Sequence, residues 1–138
     1  MEIQTEISPT TDAQHLVMRF FEALGDSTAL SEVFAPDVTW TVWGNSPLAG
    51  THTGREAVVH GFHAEAGKLF SADHPGTLTV TQFIGDGPTV AAEFNYRTMT
   101  ALGRQYHNHY VEVFEVEGDH IRKVREYMDS QHFGAVCY

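Results

Sequence analysis

Basic residues are scarce in this chain: 8 lysines and arginines face 18 acidic residues, giving a formal charge of −10. Phosphate binding needs a cationic footprint, so a nucleic-acid partner is excluded, and an anionic membrane surface is disfavoured for the same reason. Cysteine is nearly absent. The lone Cys137 can close no intrachain disulfide, and cysteine-based metal motifs are missing. No apolar run approaches the length of a membrane span, and the opening MEIQTEISPTTDAQ lacks the basic start and apolar stretch of a signal peptide. A cytoplasmic protein without membrane attachment is therefore expected. There is no glycine-rich phosphate loop, GxSxG elbow or HExxH pair. Cofactor-dependent and covalent-nucleophile chemistry have no support, and neither cofactor nor metal is expected.

What is present is a folded composition, 42% hydrophobic and 12% aromatic, over 138 residues. That suits one domain spanning 1–138, with 1–11 as a flexible N-terminus. TTDAQHLVMRFFEALGD puts Leu16, Val17, Phe20, Phe21 and Leu24 on one helical stripe, with Thr10 or Thr11 to cap it and Gly25 to end it. STALSEVFA predicts a short second helix stopped by Pro36, DVTWTVWG a strand, and TGREAVVHGFHAEAGKLF a third helix capped by Thr53. Four β-rich runs follow, TLTVTQFIG, TVAAEFNYRTM, QYHNHYVEVFEV and HIRKVREYMD, separated by DGP, ALG and EGD. Such short connections make the meander antiparallel. The expected fold is α+β and cone-shaped, with N-terminal helices packed on a curved, mainly antiparallel sheet that encloses a pocket.

KVREYMDSQ, residues 123–131, poses the sharpest question. As a strand it sets Val124, Glu126 and Met128 on one face and Lys123, Arg125, Tyr127 and Asp129 on the other. An acid between two apolar residues loses hydration, which raises its pKa and suits it to exchange protons near neutral pH. The alternative is structural pairing with an arginine such as Arg97. Asp129, on the opposite face, reads as an anchor for the chain end. The register of the last hairpin stays open. A two-residue Gly118–Asp119 turn sets His109 and Val111 beside Glu126, whereas a three-residue turn with a bulge at the glycine sets Tyr110 and Asn108 there.

The order of elements, together with GRQYHNHYVEVFEVEGDHIRKVREYMD and FAPDVTWTVWG, resembles the nuclear transport factor two-like superfamily over about residues 12–133. Within it the likeness is to the SnoaL-like group of polyketide cyclases and relatives, which includes limonene-epoxide hydrolase and ketosteroid isomerase. The resemblance implies that Glu126 holds the position of a catalytic acid/base. WGNSPL follows the hydrolase pattern of aromatic, Asn and Pro-Leu, with Trp43 lacking the phenol hydroxyl and Asn45 as the water-holding amide. The positions of the hydrolase's Arg and Asp hold Glu93 and Asn95, so its three-residue relay is not reproduced. The isomerase's base falls near Val42 and its helical tyrosine near Phe20 or Phe21.

On this reading the protein is a SnoaL-like enzyme using cofactor-independent acid–base catalysis to cyclise or isomerise a small, largely apolar carbonyl compound. Glu126 shuttles the proton. Asn108, Tyr110 and Asn45 orient oxygens, as oxyanion donors must, and Trp43, Glu93, Asn95, Met128, Phe114 and His63 line the pocket. The alternatives are an epoxide hydrolase with an altered relay and a non-catalytic ligand-binding or protein-docking domain. The pairs His107 with His109 and His60 with His63 have metal-ligand spacing but no third ligand. If Glu93 and Asn95 face the pocket, Ala92, Phe94 and Tyr96, with Val111 and Val113, form an apolar outer face. A homodimer joined through that face is expected.

Overall fold

The computed structural model describes residues 1–138. Glu2–Thr5 form a strand, β1, paired in parallel with a later strand, so part of the terminus expected to be flexible is an ordered sheet edge. Helix α1 runs Asp12–Ala23. Thr11 starts it by accepting the Gln14 backbone N–H at 3.1 Å, satisfying one of the amides that a helix start leaves free. Helix α2, Ser27–Val33, is capped in the same way by the Asp26 carboxylate. The chain turns extended at Phe34, earlier than expected, and β2 runs Phe34–Val42 with Pro36 inside it. Proline brings no N–H to a ladder, and the pairing of β2 is irregular between Phe34 and Thr39, where it sits.

A short strand the sequence did not announce, β3 at Gly50–Thr53, folds back on β2. The third helix is π-wound over Ala57–His63 and continues as α3, Ala64–Gly67. The meander follows as expected: β4 Thr77–Ile84, β5 Thr89–Met99, β6 Gln105–Glu117 and β7 His120–Met128. A last helix, α4 at Ser130–Cys137, was not expected. Asp129 caps it, accepting the amides of Gln131 and His132 at 3.1 Å, which is the anchoring role its sequence position suggested.

The seven strands make one open sheet in the order β1-β4-β5-β6-β7-β2-β3, antiparallel except for the β1–β4 and β2–β7 pairs. This is an α+β fold, with helices covering one face of a curved, non-closed sheet. Phe20 of α1 packs on Phe34, Trp40 and Phe114, with ring centroids 5.3–5.8 Å apart. All four rings are fully buried. Burying a side chain of this size is worth about 1.5–3 kcal/mol, so this cluster fixes the helix against the sheet.

The last hairpin has the two-residue turn of the first alternative but the inward face of the second, because its bulge lies in β7 and not at the glycine. Glu117 pairs with His120 around a two-residue Gly118–Asp119 turn, and Gly118 takes the positive φ of 62° that such a turn requires. One pair further in, Val116 faces Ile121 but Glu115 faces Lys123, so Arg122 is an extra, bulged residue. The bulge shifts every later pair by one. Tyr110 therefore faces Met128 and Glu112 faces Glu126.

Candidate functional site

Between helices and sheet lies a cavity of about 560 Å³, lined mainly by apolar side chains including Phe20, Phe21, Phe62, Phe94 and Leu78. Val59 and Phe62 from the π-wound turn close one side, and Phe133 of α4 closes another. Glu112 and Glu126 lie in its wall, only 3% and 8% exposed. The lining contains no lysine or arginine. Arg97, the alternative partner for Glu126, is exposed on the outer face.

The two acids perturb one another. Burial, then the hydrogen bond and charge of Glu126, push the Glu112 carboxyl well above its ordinary range. Burial raises Glu126 as well, while the bond from Glu112 holds it lower. Two like charges about 4 Å apart repel by about 4 kcal/mol at an effective dielectric of about 20. Charging one carboxyl therefore disfavours charging the other, and the two titrate as a pair. Oε1 of Glu112 is buried without a partner in the chain.

Tyr110 also lines the cavity, stacked on Phe94 with ring centroids 4.6 Å apart and planes within 5°. Burial, then the charges nearby, raise its phenol well above the ordinary value. His63 reaches the cavity from the π-wound turn, where Trp40 packs edge-on against it at 4.5 Å. Its Nε2 is buried without a partner, and burial lowers its pKa to about 3, so the ring is neutral. Met128 completes the wall beside Glu126.

Other residues singled out from the sequence lie elsewhere. Glu93 is exposed and Asn95 half-exposed on the outer face, because Glu93 pairs with Val111 and Asn95 with His109. Ala92, Phe94 and Tyr96 point inward instead, and Phe94 and Tyr96 line the cavity, so they form no outer apolar face. Val111 and Val113 do lie outside, as expected. Trp43 and Asn45 border a separate surface cleft beside α4, with Trp43 packed on Tyr127 across the outer face. Phe114 points inward but is sealed in the core beneath the cavity. Asn108 is buried, with its amide engaged by Tyr106 and the chain around Asp129 rather than facing the cavity. No three His, Cys, Asp or Glu side chains gather in an arrangement that could hold a metal.

Glu112 is the functional candidate that sequence reading missed. The signal was present: it shares a strand face with Tyr110 and Phe114, in the same way that Glu126 shares one with Val124 and Met128. Two acids on inward faces of neighbouring strands become significant only when the register sets them opposite one another.

An open, curved sheet closed by helices over an acid-bearing apolar cavity defines the nuclear transport factor two-like class of small domains. The chain belongs to the SnoaL-like family of that class, whose SnoaL-like domain model matches residues 17–124. Solved structures of similar fold include an NTF2-like protein from Burkholderia xenovorans, 23% identical, covering 95% of this chain and 100% of that one at a TM-score of 0.79. TerC, co-crystallised with polyporic acid, is 16% identical over 92% of this chain and 98% of its own, at 0.80. A protein of ketosteroid isomerase-like fold from Catenulispora acidiphila, in complex with trimethylamine, is 21% identical over 93% and 94%, at 0.75. No curated protein matches the sequence. No helix is long and apolar enough to cross a membrane.

Proposed function

We propose that the protein is a cofactor-independent acid–base enzyme that isomerises or cyclises a small, largely apolar carbonyl compound through an enolate. One observation carries this reading: two buried acids face each other in the wall of an apolar cavity, without a cation to neutralise them. The ionised member, Glu126, takes the proton from a carbon next to the carbonyl. The electron pair moves to the oxygen, which Tyr110 meets as a hydrogen-bond donor. The proton then returns to another carbon, or the enolate carbon closes a ring on a second carbonyl carbon of the same molecule, whose C=O π-bond breaks and whose oxygen takes the proton back from Glu126. Glu112 keeps its proton and lowers the cost of charge on Glu126. Cavity size and lining support a small, largely apolar ligand. Polyporic acid with TerC and trimethylamine with the Catenulispora protein are small ligands taken by the same fold.

The test is solvent deuterium. Incubation of candidate ketones in ²H₂O should give enzyme-dependent deuteration at the carbon beside the carbonyl, lost in Glu126→Gln. A panel in which several ketones bind and none exchanges would favour the non-catalytic binding domain. Epoxide opening with incorporation of solvent ¹⁸O would favour the hydrolase. That alternative is the weaker, since Asn45, its water-holding amide, borders the outer cleft and not the cavity. The same reading takes the protein to act in the cytoplasm as a homodimer. The outer sheet face around Val111, Val113 and Tyr127 supplies the contact.

A further inference from the structure

His63 is a polar group of the cavity wall with no part in the proposed chemistry. Its imidazole sits in a box of aromatic rings. Phe34 stacks on it at 6.0 Å, and Phe20, Trp40 and Phe62 meet it at steep angles with centroids 5.7, 4.5 and 5.0 Å away. No hydrogen bond of the chain reaches either ring nitrogen. Trp40 Nε1 is buried and unpartnered too, so the two side chains do not satisfy one another. The titratable group that acts on the ring, His52, disfavours a charge there, and no carboxylate holds one. The imidazole is therefore neutral, with one nitrogen that donates and one that accepts. A phenylalanine would fill the same box without a polar group left unbonded, which costs stability when buried. The turn that delivers the ring, Ala57–His63, is π-wound, a form uncommon in proteins and frequent at functional sites. His63 packs on Trp40, which pairs with Val124, whereas Val42, two residues along the same face, pairs with Glu126. Strands rise about 3.3 Å per residue, so the ring is offset from the Glu126 row by about 7 Å along the sheet.

We propose that His63 is a second polar subsite of the cavity, which takes a hydroxyl group of the ligand at Nδ1. Nε2 has no open surface, so a ligand in the cavity meets the ring at its other nitrogen. The class of group does not depend on which nitrogen holds the proton. A hydroxyl accepts from an N–H or donates to a lone pair, whereas a charged group finds no counter-charge on a neutral ring. The ligand class is then a hydroxylated cyclic ketone of about two fused rings, with the hydroxyl and the reactive carbon at opposite ends. The ketone end rests on the carbonyl reading above, and the hydroxyl end does not.

The experiment compares 6-hydroxy-1-tetralone with 1-tetralone by calorimetric titration of the intact protein at pH 6, where the phenol keeps its proton. The two probes differ by one hydroxyl, at the far end of the rings from the carbon beside the carbonyl. His63→Phe should lower the ratio of hydroxytetralone to tetralone affinity about 3- to 10-fold, the effect of one lost hydrogen bond. His63→Asn, whose amide reaches the position of Nδ1, should keep most of the wild-type ratio. Equal ratios in wild type and His63→Phe, or a wild type that takes neither ketone, overturn the proposal. A second measurement needs no variant to fold. In ¹⁵N-histidine-labelled wild type, the His63 Nδ1 signal should move with hydroxytetralone and stay in place with tetralone, and an equal response to both overturns the proposal. Neither readout requires turnover. A hydroxyl preference carried by His63 without deuterium exchange beside the carbonyl sinks the enzymatic reading and leaves this one standing. Exchange with an unchanged ratio does the reverse.

Discussion

Glu112 of β6 and Glu126 of β7 are direct cross-strand partners on the inner face of the sheet, and both are buried. In the proposed chemistry the pair works in its singly ionised state. Activity on a true substrate should follow a bell-shaped pH profile whose limbs belong to the pair as a whole. Glu126→Gln preserves shape and removes the base, so turnover should drop by about 10²-fold or more with the fold intact. Glu112→Gln should retain more activity and lose the alkaline limb. Turnover of Glu126→Gln within twofold of wild type would remove Glu126 from the chemistry.

The same pair should set how stability depends on pH. Both folded-state pKa values are raised above the ordinary 4.5, so the protonated forms favour folding. Their contribution is complete below about pH 4.5 and is lost as pH rises through the raised values. Glu112→Gln cannot ionise. Its melting temperature should gain on wild type as pH rises above about 4.5, with the difference shrinking toward pH 4. Melting curves that stay parallel across this range would show that Glu112 does not titrate with a raised pKa.

His63 should act in the opposite sense. Burial lowers its folded-state pKa from 6.5 to about 3, so the neutral ring favours folding. This stability is fully present above about pH 6.5 and is lost as pH falls through about 3. His63→Leu should show a flatter decline in stability over that window than wild type. An identical slope, measured by urea unfolding at each pH, would mean the ring is hydrated in the folded protein.

Trp43 and Tyr127, 54% and 43% exposed, pack against each other at 6.1 Å on the outer sheet face, with Val111 beside Tyr127 on the neighbouring strand. Light scattering at micromolar concentration should give about twice the 15.4 kDa chain mass. Val111→Glu should shift the protein toward monomer while leaving it folded, since an unpaired carboxylate buried at an interface costs several kcal/mol. Phe94→Glu should instead unfold it, because Phe94 is 6% exposed against Tyr110. A wild type that is monomeric throughout this range would leave the outer face as free surface.

Helix stripes, capping residues and short turns are local features, and the sequence determined them. The Leu16–Phe21 stripe, the cap near Thr11, the antiparallel meander and the acid enclosed by Val124 and Met128 are all legible from neighbours a few residues apart. The inward direction of Phe94 was legible too. Alternation put Ala92, Phe94 and Tyr96 on one apolar stripe, and assigning the polar stripe to the pocket went against that pattern. Tertiary structure decided the rest. The bulge at Arg122 shifts β7 by one residue against β6, and only that shift turns two separate acids into the Glu112–Glu126 pair. Asn108, which looks from its strand like a ligand for substrate, is taken up by the backbone at Asp129, 21 residues away. Side chains alternate every residue along a strand, so a slip of one exchanges the two faces of the sheet. Contacts between distant segments choose between those registers, and no local pattern in either strand encodes the choice.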